Sequence, residues 1–88
     1  MPRFRKLTDF TIEIEAEQFV PPLGIPKGVF NVYGAPNRKN YSGQIWNNLG
    51  ERVNVKPTDY IVTSDYNPDR YYSMTKDYLE TNFELISE

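Results

Sequence analysis

The chain has 88 residues, with 10 Lys plus Arg, 12 Asp plus Glu and a formal net charge of −2, so the length predicts one domain over residues 1–88. It contains no Cys and no His, which excludes disulfides, thiolate zinc sites, cysteine nucleophiles and imidazole bases. The near-balanced charge argues against a protein held on nucleic acid by bulk electrostatics, and the sequence has no apolar stretch of about 18 residues that would predict a membrane span.

The clearest periodic segment covers residues 10–17, where apolar residues alternate with Thr11 and three glutamates. A period of two predicts a β-strand with one face on the core and the other in solvent. The core face would comprise Phe10, Ile12, Ile14 and Ala16. The row of glutamates is most simply a solubilising face that discourages pairing with another strand edge.

The following segments predict a loop, a short strand and a polar connection. Residues 21–28 contain three prolines and two glycines, which is typical of a loop. Residues 29–33 form a β-prone run, and residues 34–43 are the most polar stretch of the chain.

A β-hairpin is predicted around Asn47-Asn48-Leu49-Gly50, with Gly50 in a left-handed conformation. Its two strands would be residues 44–46 and 51–55. Alternation along the second strand directs its valines to one side of the sheet and its polar residues to the other. The polar side would comprise Arg52, Asn54 and Lys56.

The last third of the chain predicts two more strands, a short helix and a closing strand. Residues 57–59 form a turn before a strand over 60–63, and an Asx-rich loop leads to a strand over 71–74. Thr75 can cap one or two helical turns through residue 80, and residues 83–86 close the chain as a strand.

Together these elements predict a mostly β, α+β domain. We expect a small antiparallel sheet or a partly open barrel, with one short C-terminal helix. Seven Tyr, five Phe and one Trp supply much of the burial that a short chain needs. Because chains of this size are often marginally stable and self-association is a common remedy, the sequence is compatible with a homo-oligomer as well as with a monomer.

Two groups of aromatic residues lie beside cations and form the candidate binding residues. Aromatic rings offer stacking surfaces and Arg or Lys neutralise phosphate, a combination found in nucleotide and single-strand binders. Tyr is also frequent at protein interfaces, so both kinds of partner stay open. The groups are Tyr33, Arg38, Lys39, Tyr41 and Trp46, and then Tyr66, Arg70, Tyr71 and Tyr72. Because side chains alternate along a strand, adjacent Tyr71 and Tyr72 are expected to face opposite sides.

Motifs that would indicate catalysis or cofactor binding are incomplete. Asp65-x-Asn67-x-Asp69 has the spacing that opens an EF-hand loop, but the required later Gly and Glu are absent. Residues 34–40 lack the spacing of a phosphate-binding P-loop. Asp59 is typical of a turn carboxylate that caps backbone amides. We therefore predict a protein that is not an enzyme and that has no catalytic residue, cofactor or metal.

Three segments carry a resemblance to known sequences: Arg5-Lys6 followed by Ile14-Glu15-Ala16-Glu17-Gln18-Phe19, then Val55-Lys56-Pro57-Thr58-Asp59-Tyr60-Ile61-Val62, and finally residues 72–84. They resemble a group of small, mostly uncharacterised phage and prophage proteins. Those proteins open with an R-K…I-E-A-x-Q-F pattern and carry a P-G-D-W/Y-I-V motif. This chain departs from the pattern at Thr58, which replaces the motif glycine, and in lacking the proline before the final Asp-x-x-Phe.

The resemblance implies a phage origin and a small β-rich fold. We expect a non-enzymatic accessory protein that binds a host component, for host takeover or counter-defence, in the cytoplasm of an infected bacterial cell. One alternative is a small-ligand sponge that sequesters a nucleotide or cyclic-nucleotide signal. Another is a minor structural protein of the virion. The expected partner is a host protein or a small nucleotide, with no membrane partner and no strong nucleic-acid signal.

Overall fold

A computed structural model describes residues 2–34, 40–65 and 67–88 of the chain. Within these residues lie eight strands and one helix, and the described part of the chain is 52% strand and 9% helical, which confirms the predicted class. In chain order the elements are β1 (Arg3–Lys6), β2 (Asp9–Gln18), β3 (Phe30–Tyr33), β4 (Ser42–Trp46), β5 (Arg52–Val55), β6 (Tyr60–Thr63), β7 (Tyr71–Met74), α1 (Lys76–Asn82) and β8 (Phe83–Ser87).

The strands form two antiparallel sheets and no closed barrel. The five-stranded sheet has the order β7-β6-β2-β1-β8, and the three-stranded sheet has the order β3-β4-β5. The long strand β2 connects the halves of the larger sheet, since residues 9–15 pair with β1 and residues 16–18 pair with β6. Two sheets are thus present where the sequence predicted a single sheet or a partly open barrel.

The short helix α1 packs on one side of the five-stranded sheet. Thr75 caps it as predicted, because its hydroxyl oxygen accepts a hydrogen bond of 3.2 Å from the Tyr78 N–H. Leu79 is the buried residue of the helix and enters the first hydrophobic core. That core comprises Phe4, Ile14, Ala16, Val62, Leu79 and Phe83. No helix among the described residues is long and apolar enough to cross a membrane.

The apolar face of β2 is only half buried, which corrects the expectation from its alternation. Ile14 and Ala16 lie in the core, but Phe10 is 59% exposed and Ile12 is 41% exposed. A seven-residue helix is only about 10 Å long and leaves the first half of that strand uncovered, and the β1–β2 register shifts there, between Arg5 and Lys6. The Phe10 ring instead lies beneath the Arg5 guanidinium, which is 4.4 Å from the ring centroid.

The three-stranded sheet packs on the opposite side of β6 and β7 and forms the second core. The pairing of Ala16 with Val62 directs Val62 toward the helix, so the neighbouring Ile61 points to the other side. The second core comprises Phe19, Ile45, Val55, Ile61 and Tyr71. One side of the three-stranded sheet is consequently buried and its other side faces solvent.

The predicted hairpin between β4 and β5 is confirmed. Gly50 has φ +76°, and the Asn47 side-chain oxygen accepts hydrogen bonds of 2.9 Å from the N–H groups of Leu49 and Glu51. The four pairs of the β4–β5 ladder are in regular register, with Trp46 opposite Arg52. This register determines which side chains share the solvent-facing side.

Candidate functional site

The solvent-facing side of the three-stranded sheet, called the outer face below, is the candidate functional site. Gly43 and Ile45 of β4 point into the second core, so the alternate residues of that strand point outward. The same alternation in β5 buries Val55 and exposes Asn54. The outer face comprises Phe30, Asn31, Tyr33, Ser42, Gln44, Trp46, Arg52 and Asn54.

A stacked aromatic pair forms one end of the outer face. The Phe30 and Trp46 rings have centroids 5.6 Å apart and planes inclined by 20°. Trp46 is still 40% exposed, so the phenylalanine supports the indole without covering it. Stacking of this kind fixes the orientation of the indole ring before a partner binds, so binding would cost little further side-chain entropy. The pair therefore offers a rigid aromatic surface to a partner.

A row of three amide side chains crosses the middle of the outer face. Asn31 donates from Nδ2 to Gln44 Oε1 at 3.0 Å, and Gln44 donates from Nε2 to Asn54 Oδ1 at 3.1 Å. Asn31 has φ +52°, a conformation that asparagine tolerates better than most residues. The row leaves the Asn31 oxygen as an acceptor at one end and the Asn54 amide nitrogen as a donor at the other.

A shallow depression of about 330 Å³ lies over the amide row and also borders Tyr33 and Arg52. Tyr33 is 69% exposed at its border, and the Arg52 side chain forms no ion pair or hydrogen bond with any described residue. The residues that line it carry no carboxylate; they are Asn31, Tyr33, Ser42, Gln44, Arg52 and Asn54. The depression thus combines an aromatic ring, amide groups and an unpaired cation.

The first predicted group of site residues is partly assembled here. Tyr33 and Trp46 share the outer face, where Tyr33 pairs with Ser42 across the strands. Tyr41 is half-buried, and its ring packs so closely over Gly34 that a Cβ added there would lie 2.4 Å from a ring carbon. Arg38 and Lys39 lie outside the described residues.

The second predicted group does not join the first. Tyr71 is 6% exposed in the second core, whereas Tyr72 is 36% exposed and pairs with Val62 on the helix side, so the two face opposite sides as predicted. Arg70 is half-buried in the loop before β7. Tyr66 lies outside the described residues. This arrangement separates Tyr71 and Tyr72 from the outer face.

The electrostatics of Tyr72 differ from those of an ordinary surface tyrosine. Burial raises the pKa of Tyr72 above its usual value, and the nearby Asp65 carboxylate and Tyr78 raise it further. The phenol therefore stays protonated and able to donate a hydrogen bond beyond the pH at which a free tyrosine ionises.

On the distant β1–β2 turn, hydrogen bonds from Thr11 lower the pKa of Asp9.

Six residues of the outer face were not among the predicted site residues: Phe30, Asn31, Ser42, Gln44, Arg52 and Asn54. Alternation in residues 42–46, combined with the predicted hairpin, would have placed Gln44 and Trp46 beside the polar side of β5. No such signal identifies Asn31, because its positive φ and the register shift of β3 break the alternation. The β3 contribution follows only from the structure.

Comparisons with protein-family models, with curated proteins and with solved structures give no match for this chain.

Proposed function

We propose that this chain is a non-enzymatic phage accessory protein that binds a host component through the outer face, in the cytoplasm of an infected bacterial cell. The observation that carries the proposal is the outer face itself, with exposed Trp46 and Tyr33 beside an Arg52 that forms no ion pair or hydrogen bond with a described residue. Trp, Tyr and Arg are the residues that most often dominate the energetics of protein interfaces.

The rigidity of the outer face supports binding of a protein partner. The stacked Phe30–Trp46 pair and the amide row are held by contacts within the protein, so little side-chain freedom would be lost on association. The sheet beneath is anchored by Ile45 and Val55, both fully buried in the second core. A preorganised, flat surface with aromatic anchors suits a complementary protein surface.

The composition supports action by binding and not by catalysis. Without His or Cys, general acid–base and nucleophilic catalysis would depend on carboxylate, Lys, Tyr or hydroxyl groups alone. The phage setting of the proposal comes from the resemblance of residues 14–19 and 55–62 to phage proteins. The proposal therefore concerns a protein whose effect is to occupy its partner.

Affinity purification from a bacterial lysate tests this proposal. We expect a stoichiometric partner to be recovered by the wild type and lost with Trp46→Ala and with Arg52→Glu. Leu23→Ala serves as the control, because Leu23 is 95% exposed and lies outside the outer face. Recovery of the same partner by the Trp46 and Arg52 variants, or recovery of no stoichiometric partner by the wild type, would contradict the proposal.

The second candidate is a sponge for a nucleotide or cyclic nucleotide, which the depression beside Tyr33 and Arg52 favours. A ring for stacking, amides for base edges and a guanidinium for phosphate are the groups such a ligand requires. Trp46 is the single tryptophan, so its fluorescence reports directly on the outer face. Tight binding would raise the Tm of the wild type and not that of Arg52→Ala. Unchanged Tm and fluorescence across a set of cyclic nucleotides would exclude this candidate.

A further inference from the structure

An apolar groove of about 390 Å³ lies on the helix side of the five-stranded sheet, remote from the outer face. Its floor is made of aromatic and aliphatic side chains, among which Phe4 and Tyr60 meet edge to face with ring centroids 5.7 Å apart. The groove is lined by Pro2, Phe4, Gln18, Tyr60, Leu79, Glu80, Phe83, Leu85 and Glu88. None of these lining residues belongs to the outer face.

The groove exists because α1 is too short to cover the sheet. Seven helical residues span about 10 Å, whereas the ten residues of β2 span roughly 33 Å. Leu79 covers the centre of the apolar side, and Leu85 beyond it is left 50% exposed. Apolar side chains of the core are thus open to a partner at this end of the sheet.

The charge around the groove has one sign. Glu80 of the helix and Glu88 after β8 line it, and no Lys or Arg does so. Neither glutamate forms an ion pair with a described residue. An apolar floor with an unpaired acidic rim is complementary to an apolar side chain flanked by cations.

Strand β8 borders the groove and has an open edge. It pairs with β1 on one side, and no backbone hydrogen bond joins residues 84–87 to any described residue on the other side. The strand contains neither Pro nor Lys, which commonly protect sheet edges. A register shift opposite Arg3 and Phe4 limits its regular part to residues 83–85, and within that part Phe83 and Leu85 face the groove.

We propose that β8 and the groove together bind an extended segment of a partner protein, whose groove-facing positions carry two apolar side chains flanked on both sides by Lys or Arg. The segment would add as a further strand beside β8. Apolar side chains of the added strand opposite Phe83 and Leu85 would then stand over the groove, and cations at the outer positions of that same face would approach Glu80 and Glu88.

Fluorescence anisotropy with three labelled heptapeptides tests this proposal on the full chain. The first probe is Lys-Thr-Val-Thr-Leu-Thr-Lys, in which both Lys, the Val and the Leu share one face; the second replaces each Lys with Glu, and the third carries N-methyl groups that remove the backbone donors needed for strand pairing. We expect saturable binding of the first probe alone. Equal binding of the N-methylated or the acidic probe would overturn the proposal, as would no binding of the first.

Variants locate the binding. Leu85→Asp should weaken the cationic probe at least about tenfold, and Glu80→Lys or Glu88→Lys about 2- to 5-fold each, as for a lost surface ion pair. Leu49→Asp is the matched control, because Leu49 is 82% exposed in the β4–β5 hairpin on the other sheet. An equal loss with Leu49→Asp would overturn the proposal.

Two further measurements distinguish other occupants. On peptide addition, changes in amide NMR shifts should concentrate in residues 83–88, and the fluorescence of Trp46 should not change. Quenching of Trp46 fluorescence would place the peptide on the outer face and overturn the proposal. Sedimentation of the wild type and Leu85→Asp should show monomers of equal size. A dimer that Leu85→Asp dissociates would make a second copy the occupant and overturn it also.

Discussion

Arginine side chains lie on two sheet faces of this molecule, and their ion pairing differs between the two faces. On the solvent side of β1 and β2, Arg3 donates to Glu13 at 3.0 Å and to Glu15 at 2.8 Å. Arg5 pairs with Glu84 and lies over the Phe10 ring. On the outer face of the three-stranded sheet, Arg52 has no partner among the described residues.

The difference follows from strand register. The β1–β2 and β1–β8 ladders place Arg3 opposite Glu15 and Arg5 opposite Glu84, so the charges are satisfied across the strands. The β4–β5 ladder places Arg52 opposite Trp46. Two of the three glutamates in the row that was predicted to be a solubilising face, Glu13 and Glu15, thus form ion pairs with Arg3. Arg52 on the outer face forms none with a described residue, so its guanidinium stays available to a partner.

The largest expected effect concerns stability and compares a tyrosine buried in the second core with one exposed on the outer face. Tyr71→Ala removes a buried ring from the second core and should lower the free energy of unfolding by about 3–5 kcal/mol. Tyr33→Ala, on the exposed side of the same sheet, should change it by less than about 0.5 kcal/mol. Urea denaturation measures both. Similar losses for the two variants would break the contrast between the buried and exposed tyrosines.

Gly28→Ala tests the same packing from the loop side. Gly28 has φ +94°, and an added Cβ would lie 2.3 Å from the Tyr71 ring, so we expect a loss of about 2–4 kcal/mol in unfolding free energy. Gly50→Ala is a matched control, because φ is +76° there but open space surrounds the new methyl group. Its cost should be only about 1 kcal/mol. Equal losses of unfolding free energy in the two variants would show that the Tyr71 ring does not obstruct a methyl group at position 28.

Thr58→Gly is expected to stabilise the protein. Thr58 is a β-branched residue at φ +78°, in the turn where the phage-like motif has glycine. Glycine relieves strain of about 1–3 kcal/mol but adds about 1 kcal/mol of unfolded-state entropy, so we expect a net gain of about 1 kcal/mol. Thr63→Gly, in β6, should instead destabilise. Thermal unfolding of both variants measures the difference, and a lower Tm for Thr58→Gly would contradict this explanation.

Thr58 shows how far the sequence predicts local structure. The phage-like motif has glycine at this position, and the structure keeps the positive φ with a threonine in it, which the residue type alone does not predict. The strands over 60–63 and 71–74, the Thr75 cap and the β4–β5 hairpin were predictable from alternation and turn chemistry.

The division into two sheets was not predictable, because it depends on long-range pairing. Alternation assigns Phe10 and Ile12 to a core face, but the shortness of α1 and the β1–β2 register shift between Arg5 and Lys6 leave this half of β2 exposed. Only two of the eight outer-face residues were predicted, because their assembly also depends on long-range pairing. Tyr33 and Trp46 were identified from composition, whereas Asn31 reaches Gln44 through a backbone conformation that no alternation pattern indicates.

The two arginine environments should also differ in stability. Arg5→Ala removes an ion pair and a contact with Phe10, and we expect a loss of about 0.5–1 kcal/mol in unfolding free energy that shrinks at high salt. Arg52→Ala should change the unfolding free energy by less than about 0.5 kcal/mol at any salt concentration. Urea denaturation at low and high ionic strength measures both, and a salt-dependent loss for Arg52→Ala would reveal a partner for its guanidinium.

The smallest expected effect concerns Tyr72, on the helix side of the larger sheet. Because burial and Asp65 raise the pKa of Tyr72 above the value of about 10 in the unfolded chain, the protonated phenol favours the folded state. This contribution is fully present below pH 10 and is lost as the pH rises through the folded-state pKa. Tyr72→Phe should therefore weaken the alkaline loss of stability as the pH rises above about 10, measured by urea denaturation. Asp65→Asn removes one cause of the shift and should weaken the loss less. A profile that neither substitution changes would mean that this phenol titrates alike in the folded and unfolded states.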